Sequence, residues 1–215
     1  FSANVTSIGE YAFYNCASLI AVVIPDGVTS IGDRAFYGCY SLISVELGEG
    51  VTNIGEMAFN GCYKLVEVIN RSTVNVEIGS SSNGYLGYYA KEVHKGESKI
   101  VVDDNGILFY TYNGVNYLLG AIVIGEELIF PASYNSETYE IYDYAFYKKQ
   151  GFYVLILGDG VTAIGDRAFY ECPNLMFAQL GNNVASIGEW AFYHCENMVG
   201  AVIPDSVKSI GDYAF

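Results

Sequence analysis

The sequence is poor in basic residues and has no long apolar run. Its 10 lysines and arginines stand against 24 acidic residues, which leaves a net charge of -14. Binding to nucleic-acid phosphates requires a basic face, so this balance argues against a nucleic-acid partner. No apolar run approaches the roughly 18 residues that a membrane helix requires, so we expect no membrane insertion in this stretch.

The residue patterns of catalytic and metal sites are also missing. The two histidines, His94 and His194, lie far apart, and no Cys-x-x-Cys pair gives the spacing of a zinc site. No Gly-x-Ser-x-Gly elbow marks a nucleophile. We therefore expect a protein that is not an enzyme and that holds no metal or cofactor.

What the chain does have is an internal repeat. Apolar residues make up 52% of it and charged residues 16%, so a large buried core is feasible. A nine-residue pattern, Val-Thr-Ser-Ile-Gly-Glu-Tyr-Ala-Phe in its first copy, returns at intervals of 23 residues within two blocks. The copies are 5–13, 28–36, 51–59, 138–146, 161–169, 184–192 and 207–215. This period fits a solenoid of short repeats.

Each repeat carries a strand pattern and a conserved apolar set. With the first Val as position 1, position 4 is Ile, position 8 is Ala and position 9 is Phe in all seven copies. Positions 15, 18 and 20 are mostly apolar and alternate with other residues, which predicts a β-strand. One repeat cannot bury these residues alone, so stacked neighbours should form a parallel sheet over a continuous core.

The full unit, Cys-x-x-Leu-x-x-Val-x-Ile-Pro-x-x-Val-Thr-x-Ile-Gly-x-x-Ala-Phe, resembles the BspA-type leucine-rich repeat of bacterial surface proteins. The resemblance implies a leucine-rich-repeat solenoid with parallel strands on one face. Members of this family are typically surface or secreted proteins of host-associated bacteria. Some of them are adhesins for extracellular-matrix proteins.

The pattern lapses between residues 74 and 137, so we divide the solenoid into 1–73, 74–137 and 138–215, with the stack continuous throughout. The middle part should hold a degenerate repeat and a short helix over residues 85–93. Asn105–Gly106 and Asn113–Gly114 separate β-rich runs and predict a β-hairpin or meander. Residues 127–131 resemble an irregular repeat strand that rejoins the stack.

Four columns of the repeat invite a chemical interpretation. The five cysteines share position 12, which favours buried free thiols over disulfides. Position 5 is Gly in six of seven copies, and we expect a positive φ there, where a side chain would clash. Position 6 is always acidic, which indicates solvated first-turn carboxylates, with cation binding left open. The tyrosines at position 10 should pack, with stacking against sugars as the alternative.

The sequence thus favours a non-catalytic scaffold that binds an extracellular protein, adhesin-like, secreted or at the cell surface. A host matrix protein would suit this role. The alternatives are a structural stalk or a non-catalytic arm of a larger secreted protein or enzyme. Because the chain starts and stops in mid-pattern, we expect the export signal and anchor to lie outside it, and truncated ends to self-associate.

The candidate binding residues lie on the outward side of the predicted strands. Positions 16, 17 and 19 point away from the core, yet they are unusually apolar in the C-terminal block. The candidates are Tyr153, Val154, Ile156, Met176, Phe177, Val199 and Val202. Two structural alternatives compete with binding: the insertion covers this face, or position 16 is buried by the adjoining loop.

Overall fold

The computed structural model describes residues 4–215 and divides the chain into two compact units. The first unit ends at Ser98 and the second comprises Lys99–Phe215. Throughout the described range the regular elements are strands and one 3-10 turn. None of these elements is a helix long and apolar enough to cross a membrane.

The first unit is a stack of parallel strands in two sheets. Its strands are β1 (Ser7–Ile8), β2 (Ala21–Ile24), β3 (Ser30–Ile31), β4 (Ser44–Leu47), β5 (Asn53–Ile54), β6 (Glu67–Asn70) and β7 (Glu92–His94). One sheet has the order β1-β3-β5 and the other β2-β4-β6-β7. Ser7 pairs with Ser30 and Ala21 with Ser44, so the register equals the sequence period.

The second unit repeats this design and adds an antiparallel segment. Its strands are β8 (Val101–Val102), β9 (Ile107–Tyr112), β10 (Val115–Ala121), β11 (Glu127–Ile129), β12 (Tyr139–Ile141), β13 (Val154–Ile156), β14 (Val161–Ile164), β15 (Phe177–Gln179), β16 (Ser186–Ile187), β17 (Gly200–Val202) and β18 (Ser209–Ile210). A seven-stranded sheet runs β18-β16-β14-β12-β10-β9-β8, and a four-stranded sheet runs β11-β13-β15-β17.

Each regular coil therefore contributes two strands, of which we predicted one. The strand at positions 17–20 follows the predicted alternation, as in β2, where Val22 and Ile24 are buried and Ala21 and Val23 are exposed. The second strand lies at Val-Thr-x-Ile, where it ends on the buried Ile of position 4. This short strand has too few residues to show a period of its own.

The core is a set of ladders that run along each stack. The phenylalanines of position 9 stack face to face, with ring centroids 5.0 Å apart for Phe36 and Phe59 and also for Phe169 and Phe192. This spacing matches the separation of neighbouring strands, about 4.8 Å. The small Ala of position 8 beside them is fully buried at Ala35 and Ala168.

The predicted helix over residues 85–93 is wrong. A 3-10 turn at Asn83–Tyr85 is followed by strand β7, which pairs with β6 in the parallel sheet. Gly84 and Tyr85 have φ values of 63° and 70°, which an α-helix cannot accommodate. Leu86 and Ala90 are buried in the core of this degenerate coil, and Val93 packs against them. Their spacing along the chain is the same as that of the buried face of a helix, which explains the wrong prediction.

The predicted meander is confirmed. Strands β8, β9 and β10 are antiparallel neighbours, and Asn113 and Gly114 both have positive φ, as a tight hairpin turn requires. Strand β10 also pairs in parallel with β12, which joins the meander to the repeat stack of its unit. Strand β11 pairs in parallel with β13, so the irregular strand rejoins the stack as expected.

The expectation of a positive φ at the position 5 glycines is wrong, although the expected clash is present. A Cβ added to Gly188 would lie 2.6 Å from the backbone N of Asp166 in the preceding coil. Positive φ occurs instead at position 7, between 52° and 59°, at residues of unrelated types. These are Tyr11, Arg34, Met57, Tyr144, Arg167, Trp190 and Tyr213. Glycine at position 5 therefore permits close approach of two backbones.

We predict that Gly188→Ala lowers the free energy of unfolding by about 1–3 kcal/mol, the usual cost of overpacking. Denaturant unfolding followed by circular dichroism measures this change. Gly9→Ala is the matched control, because beyond Gly9 and its two chain neighbours no described atom lies within 4 Å of the Cβ it would add. Equal effects of the two substitutions would contradict the role of close approach.

Candidate functional site

The outward side of strands β13, β15 and β17 carries the candidate binding residues. Parallel pairing places Val154 beside Phe177 and Ile156 beside Gln179, while Leu155 between them is buried in the core. Val202 follows in the same row, beside Gln179. The strand register therefore places residues 23 apart in sequence side by side on neighbouring strands, so that they form one row across the sheet.

The exposure of this surface differs from row to row. Tyr153 is 42% exposed, Met176 45%, Val199 81% and Val202 52%. Val154, Ile156 and Phe177 are half-buried. Position 16 of the second unit and the outer end of β17 are therefore accessible to solvent, whereas position 16 of the first unit is buried at Ile43 and Val66.

The structure adds Ile129 to this surface. Ile129 on β11 pairs with Ile156 and is 56% exposed, so it extends the outer row by one strand. The strand pattern of residues 127–131 was the available signal. The predicted set of binding residues did not include Ile129, because the repeat pattern from which it was drawn resumes only at Thr138.

The corresponding face of the first unit is different. Ser44, Glu67 and Ile69 occupy outward positions on β4 and β6, yet all three are buried. Glu46 on β4 forms an ion pair of 3.0 Å with Arg71. Ala21 and Val23 on β2 remain exposed. The exposed apolar surface therefore extends over more strands in the second unit than in the first.

A buried polar cluster on the first unit brings together residue types that catalytic sites use. The Glu67 carboxylate accepts hydrogen bonds from the hydroxyls of Ser44, at 2.9 Å, and Ser98. His94 Nε2 lies 3.4 Å from the second carboxylate oxygen of Glu67. The sequence did not signal this cluster, because its members come from successive coils and from the segment after β7.

The geometry of this cluster differs from that of a nucleophile and its base. The serine hydroxyls donate to Glu67, whereas a nucleophilic serine would donate to the imidazole. The second ring nitrogen of His94, Nδ1, accepts the backbone N–H of Gly96 at 3.1 Å, so it is not free to act as a base. The cluster meets the hydrogen-bonding needs of the buried Glu67 carboxylate through the hydroxyls of Ser44 and Ser98 and the ring of His94.

The acidic column at position 6 forms structural hydrogen bonds between coils. Asp143 Oδ1 accepts the backbone N–H of Asp166 at 2.8 Å, and Asp166 Oδ1 accepts that of Glu189 at 2.8 Å. Asp33 binds the N–H of Glu56 in the same way. In residues 4–215, no three His, Cys, Asp or Glu side chains converge as metal ligands would.

The tyrosine column at position 10 forms a stacked ladder. The rings of Tyr147 and Tyr170 are 5.3 Å apart and inclined by 17°, and those of Tyr170 and Tyr193 are 5.5 Å apart. Neighbouring rings therefore cover one another's faces. Because a sugar stacks on a free ring face, this arrangement favours the packing role that we predicted.

The cysteine column consists of free thiols, as predicted. Cys39, Cys62, Cys172 and Cys195 are buried, and Cys16 is exposed. The Cys39 thiol donates to the carbonyl of Phe13 at 3.1 Å, and Cys62 donates likewise to Phe36. Burial raises the pKa of the Cys39 thiol to about 12 and that of Cys62 well above its usual value.

We predict that a thiol reagent at pH 8 modifies Cys16 rapidly in the folded protein and leaves Cys39 and Cys62 unmodified. The thiolate is the reactive form, and a raised pKa keeps these buried thiols protonated. Mass mapping of the modified peptides locates the label, and Cys16→Ser is the control. Modification of Cys62 at the rate of Cys16 would overturn this assignment.

Comparison with known proteins places the repeats in a family. A BspA type leucine rich repeat region matches residues 1–84 and 133–215, with six copies. No protein of curated function matches the sequence.

Three solved structures are similar to the chain. A leucine rich cell surface protein of Faecalibacterium prausnitzii has 21% identity and a TM-score of 0.49, with 98% of this chain and 74% of that chain covered. The T. pallidum leucine rich repeat protein has 23% identity and a TM-score of 0.35, with 96% and 67% covered. The pneumococcal vaccine antigen PcpA has 20% identity and a TM-score of 0.47, with 98% and 65% covered. Since the family pattern matches most of its length, the chain belongs to the BspA-type leucine-rich-repeat family.

Proposed function

We propose that this chain is a non-catalytic protein-binding scaffold, secreted or displayed on a bacterial surface. Its role is adhesin-like, and its partner is an extracellular protein such as a host matrix protein. The contact surface is the outward face of the second unit, which we call the apolar face. It consists of Ile129, Tyr153, Val154, Ile156, Met176, Phe177, Val199 and Val202.

The observation that carries this proposal is the exposure of adjoining apolar side chains on one sheet. Val154 and Phe177 are register partners, as are Ile129 and Ile156, so the apolar face is contiguous across strands. Contiguous exposed apolar surface commonly marks an interaction site. Tyr, Phe and Met are residue types enriched in the centres of protein interfaces, where most of the binding energy is found.

The absence of catalysis is supported by how the reactive groups are used. The hydroxyls of Ser44 and Ser98 donate to the Glu67 carboxylate. The His94 ring contacts that carboxylate through Nε2 and accepts the backbone N–H of Gly96 at Nδ1. The buried thiols of Cys39 and Cys62 donate to carbonyls of the preceding coil. These groups serve the packing of the repeats.

The triple variant Tyr153→Asp, Met176→Ser and Phe177→Ser tests the proposal. The wild-type chain is applied to a panel of immobilised, purified extracellular-matrix proteins, and binding is measured by surface plasmon resonance. We expect the variant to bind its target more than about tenfold more weakly. Substitution of one residue at the centre of an interface commonly costs about 1.4 kcal/mol or more of binding free energy, which corresponds to a tenfold change in affinity. Its melting temperature should fall by less than about 5 °C, because surface substitutions have small effects on stability.

Val23→Ser is the matched control. Val23 is 58% exposed on the outward side of β2, and it belongs to the first unit and not to the apolar face. Its substitution should leave binding to the panel unchanged. A fall of more than about 10 °C in the melting temperature of the triple variant would show that its three residues support the core.

A further inference from the structure

Strand β11 lies at the edge of the four-stranded sheet β11-β13-β15-β17. The other sheet of the same unit is longer, because β10, β9 and β8 extend it beyond β12. The meander therefore supplies neighbours to one sheet and none to the other. Strand β11 is left with a strand partner on one side only, namely β13.

The backbone groups of β11 divide between its two sides. The carbonyl of Glu126 accepts the N–H of Tyr153 at 2.7 Å, and the N–H of Phe130 donates to the carbonyl of Ile156 at 2.9 Å. Because backbone groups alternate along a strand, those of residues 126, 128 and 130 face β13. The N–H and C=O groups of Glu127 and Ile129 face the opposite side.

These outward groups are unused. Apart from the pairing of β11 with β13, no backbone hydrogen bond in the described part of the chain involves Glu127 or Ile129. Both residues are exposed to solvent. Two donor and acceptor pairs spaced two residues apart are what an added extended strand requires.

We propose that the open edge of β11 is a docking site for an extended, basic and apolar peptide segment of a partner protein, which adds to the sheet as a further strand. The main chain of Glu127 and Ile129 would bond to the main chain of the segment. This inference goes beyond the apolar face, because it depends on backbone groups and the apolar face depends on side chains.

The chemistry of the segment follows from the side chains at this edge. Ile129 continues the row of Ile156, so an apolar side chain on the added strand finds an apolar neighbour. Glu126 and Glu127 are exposed carboxylates at the start of β11, and they favour basic residues on the segment. A second copy of this chain, with its net charge of -14, is disfavoured by the same carboxylates.

The probe is a capped synthetic heptapeptide in which lysine and valine alternate. We expect it to bind the intact chain and to slow amide exchange at Glu127 and Ile129, measured residue by residue by NMR. Slowed exchange at a different strand edge, with none at these two amides, overturns the proposal.

Two N-methylated peptides separate strand addition from attraction between opposite charges. One carries the methyl groups on the valine nitrogens and the other on the lysine nitrogens, and both keep the charge of the parent peptide. Only one edge of an added strand bonds to β11, so one of the two should bind at least about tenfold more weakly than the parent. If both methylated peptides bind the chain with the affinity of the parent, attraction between opposite charges alone explains the binding. That result overturns the proposal.

Variants of the chain give a second measurement. Ile129→Pro removes the outward N–H and leaves the bonds to β13, so it should weaken peptide binding at least about tenfold. Ile129→Thr keeps the N–H and the preference for a strand, and it should bind within about threefold of wild type. Unchanged binding by a folded Ile129→Pro variant overturns the proposal.

The outcome is independent of the apolar face. The triple variant at Tyr153, Met176 and Phe177 keeps the backbone of β11, so it should bind the peptide as wild type does. Loss of matrix-protein binding with retained peptide binding assigns the first to the side chains of Tyr153, Met176 and Phe177 and the second to the backbone edge of β11. If the wild-type chain binds no matrix protein and still binds the peptide at β11, only the apolar-face proposal fails.

Discussion

Backbone hydrogen bonds between one coil and the next are the interaction on which the rest of the structure depends. The N–H of Gly188 donates to the carbonyl of Ile164 at 2.8 Å, and the N–H of Gly55 donates in the same way to Ile31. These bonds hold neighbouring coils about 4.8 Å apart. At that distance a Cβ at Gly55 or Gly188 would meet the backbone of the preceding coil, which accounts for glycine at position 5 in six of the seven copies. Tyr142 is the exception, in the coil that follows the meander.

The same spacing explains why the columns that look chemical serve packing. When each residue lies directly over its counterpart, equal residues can stack, as Phe36 does on Phe59. An aspartate at position 6 can accept an N–H of the next coil, and a cysteine at position 12 can donate to a carbonyl of the preceding one. Surfaces open to partners are those that stacking leaves unused: the outward side chains and the strand edges.

The meander in the second unit decides where such a surface appears. It lengthens one sheet to seven strands and leaves the other at four. As a result β11 retains an unpaired edge beside the exposed residue Ile129 and the row that contains Ile156. The exposed apolar side chains and the unpaired strand edge thus lie on the same sheet.

The amino-acid sequence by itself determined the period, the inward residues, the hairpin at Asn113–Gly114 and the free thiols. These features depend on local turn chemistry and on a register that repeats every 23 residues. Only the tertiary structure decided that residues 85–93 form a turn and strand, that position 7 takes positive φ, and that Glu67 gathers Ser44, His94 and Ser98. The physical reason is that backbone pairing between segments distant in sequence overrides the local spacing of apolar residues, as it does where β7 pairs with β6. The exposure of a strand likewise depends on whether another strand pairs with each of its edges, as at β11.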